Sequence, residues 1–189
     1  MTPELLRAAT GCSSLNAALY AEPLSAACER YDINTPARLA MFLAQVGHES
    51  GSLRFVREIW GPTPAQLRYE GRADLGNTQP GDGRRYSGHG LIQVTGRFNH
   101  AKTRDQLRAD GFEDAPDFEA DTQALELPKW ACLSAARFWF ARGCNALADA
   151  GNFDRTTQVI NGGQTGAADR RARWARAKTA LAPRSTTKE

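Results

Sequence analysis

No stretch of this chain stays apolar long enough to span a bilayer. Its first residues, Met1-Thr2-Pro3-Glu4-Leu5-Leu6-Arg7, lack the basic start and unbroken apolar centre of an export signal. Synthesis in the cytoplasm without classical export, and no stable insertion into membrane, are the expectations. Cysteine is scarce, and Cys12, Cys28, Cys132 and Cys144 form no closely spaced pair, which suits small buried side chains better than a zinc site or a disulfide framework. There are 3 histidines. His48-Glu49 would open a zinc-protease helix only with a second histidine at position 52, where Ser52 stands, so no metal is expected. Phosphate-cradling loops are missing too. After Gly88-His89-Gly90 the third glycine of a dinucleotide fingerprint is replaced by Gln93, and no Gly-Lys-Ser/Thr occurs. The acidic run from Asp110 lacks calcium-loop spacing, no serine nucleophile elbow is visible, and no cysteine has the local support of a nucleophile.

What is present fits one domain, since 189 residues can bury a proper core. The net charge of +3 is mild but uneven: from Arg170 to Glu189 there are seven Lys or Arg and one acid. Such a stretch is either drawn to anionic surfaces or is a solvated helix face followed by a frayed basic end at 182–189. No aromatic-interleaved basic motif of a nucleic-acid module is visible, so nucleic acid is not an expected partner.

Helical signals dominate. Pro3 to Thr10 reads as a capped helix stopped by Gly11, and Leu15 to Tyr31 as a second, interrupted near Pro23. Asn34-Thr35-Pro36 supplies a cap and a first-turn proline, and Leu39, Phe42, Leu43 and Val46 follow at helical spacing, predicting a helix buried on one face. Further helices are expected over Ala65 to Arg72, from Thr95-Gly96 to about Asp110, over Pro128 to Phe140 with its aromatics in the core, and from Ala167 to Leu181. Leu91 to Val94 reads equally as a strand or a buried helical turn. Gly71 to Gly90 is rich in glycine, Asp, Arg, Asn and Tyr, the composition of a working polar loop.

Glu49 falls in the last turn of the third helix, where Gly47 and Gly51 weaken and end it, and where the partial negative charge of the helix terminus opposes ionisation, as suits a proton donor. Glu58 follows nine positions on, beyond a glycine turn that can bring it back to face Glu49. Glu70 lies on the next short helix. Paired carboxylates beside a polar loop are the equipment of glycoside hydrolysis, one acid to release the leaving oxygen and one carboxylate to activate water or attack the sugar.

Gly47-His48-Glu49-Ser50-Gly51, then Tyr86-Ser87-Gly88-His89-Gly90-Leu91-Ile92-Gln93-Val94-Thr95-Gly96-Arg97-Phe98-Asn99, Val159-Ile160-Asn161-Gly162-Gly163 and Ala168-Asp169-Arg170 together resemble the family 19 glycoside hydrolases, the plant-type chitinases with their bacterial and phage relatives. Tyr69-Glu70-Gly71-Arg72 and Leu75 to Gly83 look like the phage and prophage endolysin branch. The resemblance implies a mainly helical, lysozyme-like fold with a deep cleft and little or no sheet. Residues 34–181 would form the glycosidase core and 1–33 a helical scaffold, together a single catalytic domain over 1–181.

It also implies an inverting mechanism without cofactor. Glu49 matches the general acid, Glu58 the general base, and Thr95 the residue that holds the attacking water. Gln93, Asn99, Asn161 and Arg170 match residues that bind sugar or orient the carboxylates, and His48 would brace the acid. Plant enzymes place their second glutamate farther from the first, which keeps Glu70 as a rival base. His89 replaces an arginine, Leu91 a proline and Phe98 a tyrosine, changes that alter substrate contacts more than chemistry. The implied substrate is peptidoglycan, with chitin as the alternative and a dead saccharide-binding scaffold as the third reading. A monomer is expected, reaching the periplasmic wall through a phage pore-forming protein.

Overall fold

The computed structural model describes residues 1–183; the basic end at 184–189 lies outside the described residues. The chain is built from α1 (Pro3–Thr10), α2 (Ser14–Arg30), α3 (Pro36–Glu49), α4 (Pro64–Leu67), α5 (Asp82–Arg85), α6 (Arg97–Ala109), α7 (Pro128–Ala141), α8 (Cys144–Asp149), α9 (Phe153–Asn161) and α10 (Ala167–Leu181). Short 3-10 turns occupy Ala73–Leu75 and Thr122–Glu126. Among the described residues, extended pairing is confined to two single bridges, Arg57 with His89 and His89 with Val94. Leu91 to Val94 is thus neither strand nor helix, but a tight turn that folds Val94 back onto His89.

A repeated dipeptide starts three of these helices. Thr2-Pro3, Thr35-Pro36 and Thr63-Pro64 each place a threonine hydroxyl where it accepts a backbone N–H, from Leu5, Arg38 and Gln66, all at 3.2 Å. Proline follows at the first helical position, where no N–H is needed. α2 runs straight through Pro23 instead of breaking there. The carbonyl left without its donor belongs to Leu19, which is on the exposed side of the helix, while Tyr20, Leu24 and Ala27 hold the other side in the core.

α3 departs most from expectation. Every residue from Ala40 to Gly47 is buried, so it is a central helix covered all round and not an amphipathic one. α10 packs along it, with α1, α8 and α9 completing the sleeve. Phe42 meets Trp139 of α7 edge-on, with ring centroids 5.4 Å apart, and Phe153 stacks on Trp174 at 4.6 Å. The four cysteines are free and buried. No helix among the described residues is long and apolar enough to cross a membrane.

The basic stretch that opens α10 is answered by acids of the fold. Arg170 pairs with Glu49, Arg171 with Asp154 and Arg173 with Asp169. A solvated or surface-seeking cationic face is therefore not what the first two turns of α10 form. The acidic loop after α6 likewise answers internal cations, with Asp117 on Arg104 and Glu119 on Arg97.

Candidate active site

Glu49 ends α3, and four residues earlier Gln45 projects from the same face one turn back. Both meet Arg170 of α10, whose side chain is 1% exposed. One Arg170 Nη donates to Glu49 Oε1, the other to Gln45 Oε1 at 2.6 Å, and Nε to the Thr165 carbonyl at 3.1 Å. Gln45 is fixed in turn by donating to Thr157 Oγ1 at 2.9 Å. The helix terminus is therefore not the only charge acting on Glu49; a guanidinium of opposite sign stands behind it. Oε2 of Glu49 has no protein partner among the described residues.

His48 does not touch this carboxylate. Its Nδ1 meets Asp169 Oδ2 at 2.6 Å, which ties the end of α3 to the start of α10. Burial works to raise the Asp169 pKa, but hydrogen bonds from Arg173 and His48 hold it below the usual carboxylate range. Gly166, with φ of 72°, precedes α10, and a Cβ there would stand 2.3 Å from His48 Cε1. Only glycine lets α10 begin this close to α3.

From Glu49 the chain reverses through Gly51, Ser52 and Leu53, at φ of 56°, 64° and 61°. Two of these are not glycine, and left-handed backbone costs such residues roughly 1–2 kcal/mol each. Ser50 Oγ accepts Leu53 N at 2.9 Å, and Asn16 donates to the Leu53 carbonyl at 2.9 Å, so the turn is held from both sides. Gln93, at φ 58°, is a further left-handed residue beside the predicted site.

Glu58 lies past this turn, with its N–H on the Gly88 carbonyl at 2.8 Å. Its Oε2 accepts the Gly88 N–H at 3.0 Å and its Oε1 the Gln66 amide at 2.9 Å. Gln66 is buried and fully used: it also donates to the Ile59 carbonyl at 2.9 Å and accepts from Gly61 and Thr63 at 3.1 and 2.8 Å. The Tyr69 hydroxyl stands 3.5 Å from Glu58 Oε1, and burial followed by the charge of Glu58 raises its pKa. Glu70, the rival, spends both oxygens on the loop, accepting Gly81 N–H at 2.6 Å and Gly83 N–H at 2.8 Å.

Gly88 links Glu58 to the next group. A Cβ at Gly88 would be 2.4 Å from Gln93 Oε1, so the Gln93 side chain lies directly over it. Gln93, Thr95 and Asn99 line one cavity of about 460 Å³, together with Phe138 of α7, an aromatic expected in the core. Thr95 donates to the Gln93 carbonyl at 3.1 Å, and Asn99 to the Thr95 carbonyl at 2.7 Å. Glu58 lines a different cavity, of about 430 Å³, with Trp60. Asn161 is exposed at the end of α9. Phe98, 69% exposed, borders a third cavity beside α6.

Beneath the 86–96 turn sit two buried histidines. His89 Nδ1 donates to the Ser87 carbonyl at 2.6 Å and His100 Nδ1 to the Gly96 carbonyl at 2.9 Å. Burial pushes the pKa of His89 down and that of His100 down to about 4.

Gln45 and Gln66 escape a reading of the sequence, and Asp169 figures there only within Ala168-Asp169-Arg170, without a role. Only Gln66 carries a signal, since Thr63-Pro64-Ala65-Gln66 is a capping box and both halves of that box are formed. The other two act across distances along the chain that spacing does not reveal.

No family model matches the chain. Over 176 residues it is 31% identical to a glycosyl hydrolase family 19 domain-containing protein of Haemophilus influenzae, spanning 79% of this chain and 82% of that one. It is 28% identical to chitinase 4 of Oryza sativa subsp. japonica, covering 71% of this chain but 43% of that protein. An endochitinase of Arabidopsis thaliana is 33% identical over 67% of this chain and 40% of its own. The fold matches chitinase C from Streptomyces griseus HUT6037 with a TM-score of 0.69 at 20% identity, over 95% of this chain and 75% of that one. It also matches a bacterial family 19 chitinase with a TM-score of 0.71 at 21% identity, over 95% and 93%. The mainly helical architecture is therefore lysozyme-like. With 31% identity sustained across four-fifths of a relative, the chain belongs to glycosyl hydrolase family 19.

Proposed function

We propose that this glycoside hydrolase is an endolysin that cleaves β-1,4 bonds between the N-acetylated amino sugars of peptidoglycan by an inverting acid–base mechanism, after release from the cytoplasm. The observation that carries the reading is the unequal furnishing of two carboxylates. Glu49 is gripped by Arg170 at Oε1 and keeps Oε2 free of protein partners among the described residues, so that oxygen can hold the proton destined for the leaving group. Glu58 accepts neutral N–H donors at both oxygens, a setting for an ionised carboxylate that acts as acceptor only.

In the proposed reaction Glu49 protonates the glycosidic oxygen while Glu58 takes a proton from water. The Thr95 hydroxyl, whose hydrogen is committed to the Gln93 carbonyl, offers its lone pairs to that water. Inversion needs about 6.5–9.5 Å between the carboxyl groups with substrate bound, leaving room for the water. Support for peptidoglycan over chitin comes from the phage-like 69–83 segment, which is braced into a fixed wall by Glu70 and by Asp82 on Arg97 at 2.6 Å. Chitin is the second reading, favoured by the chitinase names of the plant relatives and bacterial structures.

The test is hydrolysis of purified sacculi and of chitin oligomers by the wild type, Glu49→Gln and Glu58→Gln, with the anomeric form of the product followed by NMR. Glu49→Gln should lower turnover by about 10² to 10⁴ without loss of folding, and wild-type product should be inverted. Full activity in Glu49→Gln, or retained configuration, would overturn the mechanism; activity on chitin alone would overturn the substrate.

A further inference from the structure

The cavity that Glu58 shares with Trp60 is lined on its other side by arginines. Arg57, Arg84 and Arg85 all face it, around a volume of about 430 Å³. Arg57 is neutralised by Glu126 at 2.8 Å. Arg85 donates only to neutral carbonyls, those of Glu119 at 3.2 Å and Ala120 at 2.9 Å. Among the described residues neither Arg84 nor Arg85 has a carboxylate partner, whereas Arg57 and Arg97 on either side of them do.

Two guanidinium groups without a carboxylate partner among the described residues thus line this cavity with Glu58, and only Arg85 of the two has an internal use, on the Glu119 and Ala120 carbonyls. A neutral polysaccharide offers them hydrogen-bond acceptors but no opposite charge. We infer that Arg84, seconded by Arg85, binds a carboxylate carried on the glycan, a free carboxylate of the peptide stem borne by a peptidoglycan sugar, with the Trp60 ring beside the adjacent sugar face. Guanidinium is suited to this, since it meets carboxylates with paired N–H donors. Arg84 is the primary contact because it is exposed and otherwise uncommitted, whereas Arg85 also holds the loop at Glu119 and Ala120. The inference rests on the peptidoglycan reading and names the group by which that polymer is told from chitin.

The experiment compares kcat/KM on an uncrosslinked peptidoglycan tetramer bearing its peptide stems with that on a neutral N-acetylglucosamine hexamer, for the wild type, Arg84→Lys, Arg84→Gln and Arg84→Glu. The ratio of the two should fall about tenfold in Arg84→Gln, mainly through KM on the stem-bearing substrate, and further in Arg84→Glu. Arg84→Lys should recover part of it, and raising the salt should erode the wild-type ratio. Equal losses on both substrates, or an unchanged ratio in folded Arg84→Gln, would overturn the assignment while leaving peptidoglycan hydrolysis standing. A wild type that cleaves the neutral hexamer alone would overturn both.

Discussion

The surroundings of Glu49 are made of helix, and those of Glu58 of loop. Glu49 stands at the end of a central helix, with Gln45 on the same face and the buried Arg170 supplied by a second helix packed along the first. Glu58 has no regular element of its own. Its two oxygens are held by one backbone N–H, that of Gly88 in the turn over 86–96, and by one amide from a single-turn helix, that of Gln66. The first arrangement is secured by burial and charge, the second by a chain of neutral hydrogen bonds in which each member is fixed by the next. Loss of one member should therefore damage the fold in the first region and the chemistry in the second.

The largest effect should follow from Arg170→Ala. It leaves Glu49 and Gln45 facing a void that a charge had filled, and breaking such a pair costs about 3 kcal/mol or more. Urea denaturation checks this; a midpoint within error of wild type would show that the helix pair is held by apolar packing alone.

Next comes acid sensitivity on the loop side. Burial lowers the His100 pKa from 6.5 to about 4, so the unfolded chain takes up a proton that the folded one refuses. Stability from this source is complete above pH 6.5 and is lost progressively as pH falls toward 4, by up to roughly 3 kcal/mol. Amide exchange in 86–96 should quicken across that window ahead of exchange in α3 and α10. A His100→Gln variant should flatten the pH dependence of the melting temperature, and an unaltered slope would assign the acid sensitivity to the carboxylates.

The smallest change in stability, and the sharpest functional one for its size, belongs to Gln66→Leu. Removing the amide should cost about 1–2 kcal/mol. Its signature is a several-fold drop in kcat with KM nearly unmoved, because Glu58 loses the nearer of its two Oε1 donors, keeping only the Tyr69 hydroxyl at 3.5 Å, while the sugar contacts stay. A change confined to KM would place Gln66 in substrate binding instead.

The helix side of the molecule is well legible in the sequence and the loop side only in outline. α1, α3, α7 and α10 begin or end where proline, threonine and glycine dictate, because a missing N–H and a hydroxyl acceptor act within one turn. Pro23 predicts a break in α2 that does not occur, since tertiary packing of Tyr20, Leu24 and Ala27 outweighs one lost backbone bond. α8 (Cys144–Asp149) leaves no trace in the periodicity, being too short to show one. The 71–90 loop is legible as polar, but not as a structure nailed down by Glu70, Asp82 and Arg97.

The sequence by itself determined the local decisions: where helices start, that Glu49 sits at a helix end, that glycine marks the turns, and which motifs stand in which order. Only the tertiary structure decided the partners, sending Arg170 to Glu49 and not to solvent, His48 to Asp169 and not to Glu49, and Glu70 to the loop amides. Capping and backbone sterics act over a few residues and leave their trace in adjacent letters. The Arg170–Glu49 and His48–Asp169 contacts join residues more than a hundred positions apart, the Glu70 contacts depend on how an irregular loop folds back, and which of several arginines meets a given carboxylate is settled by how the helices pack.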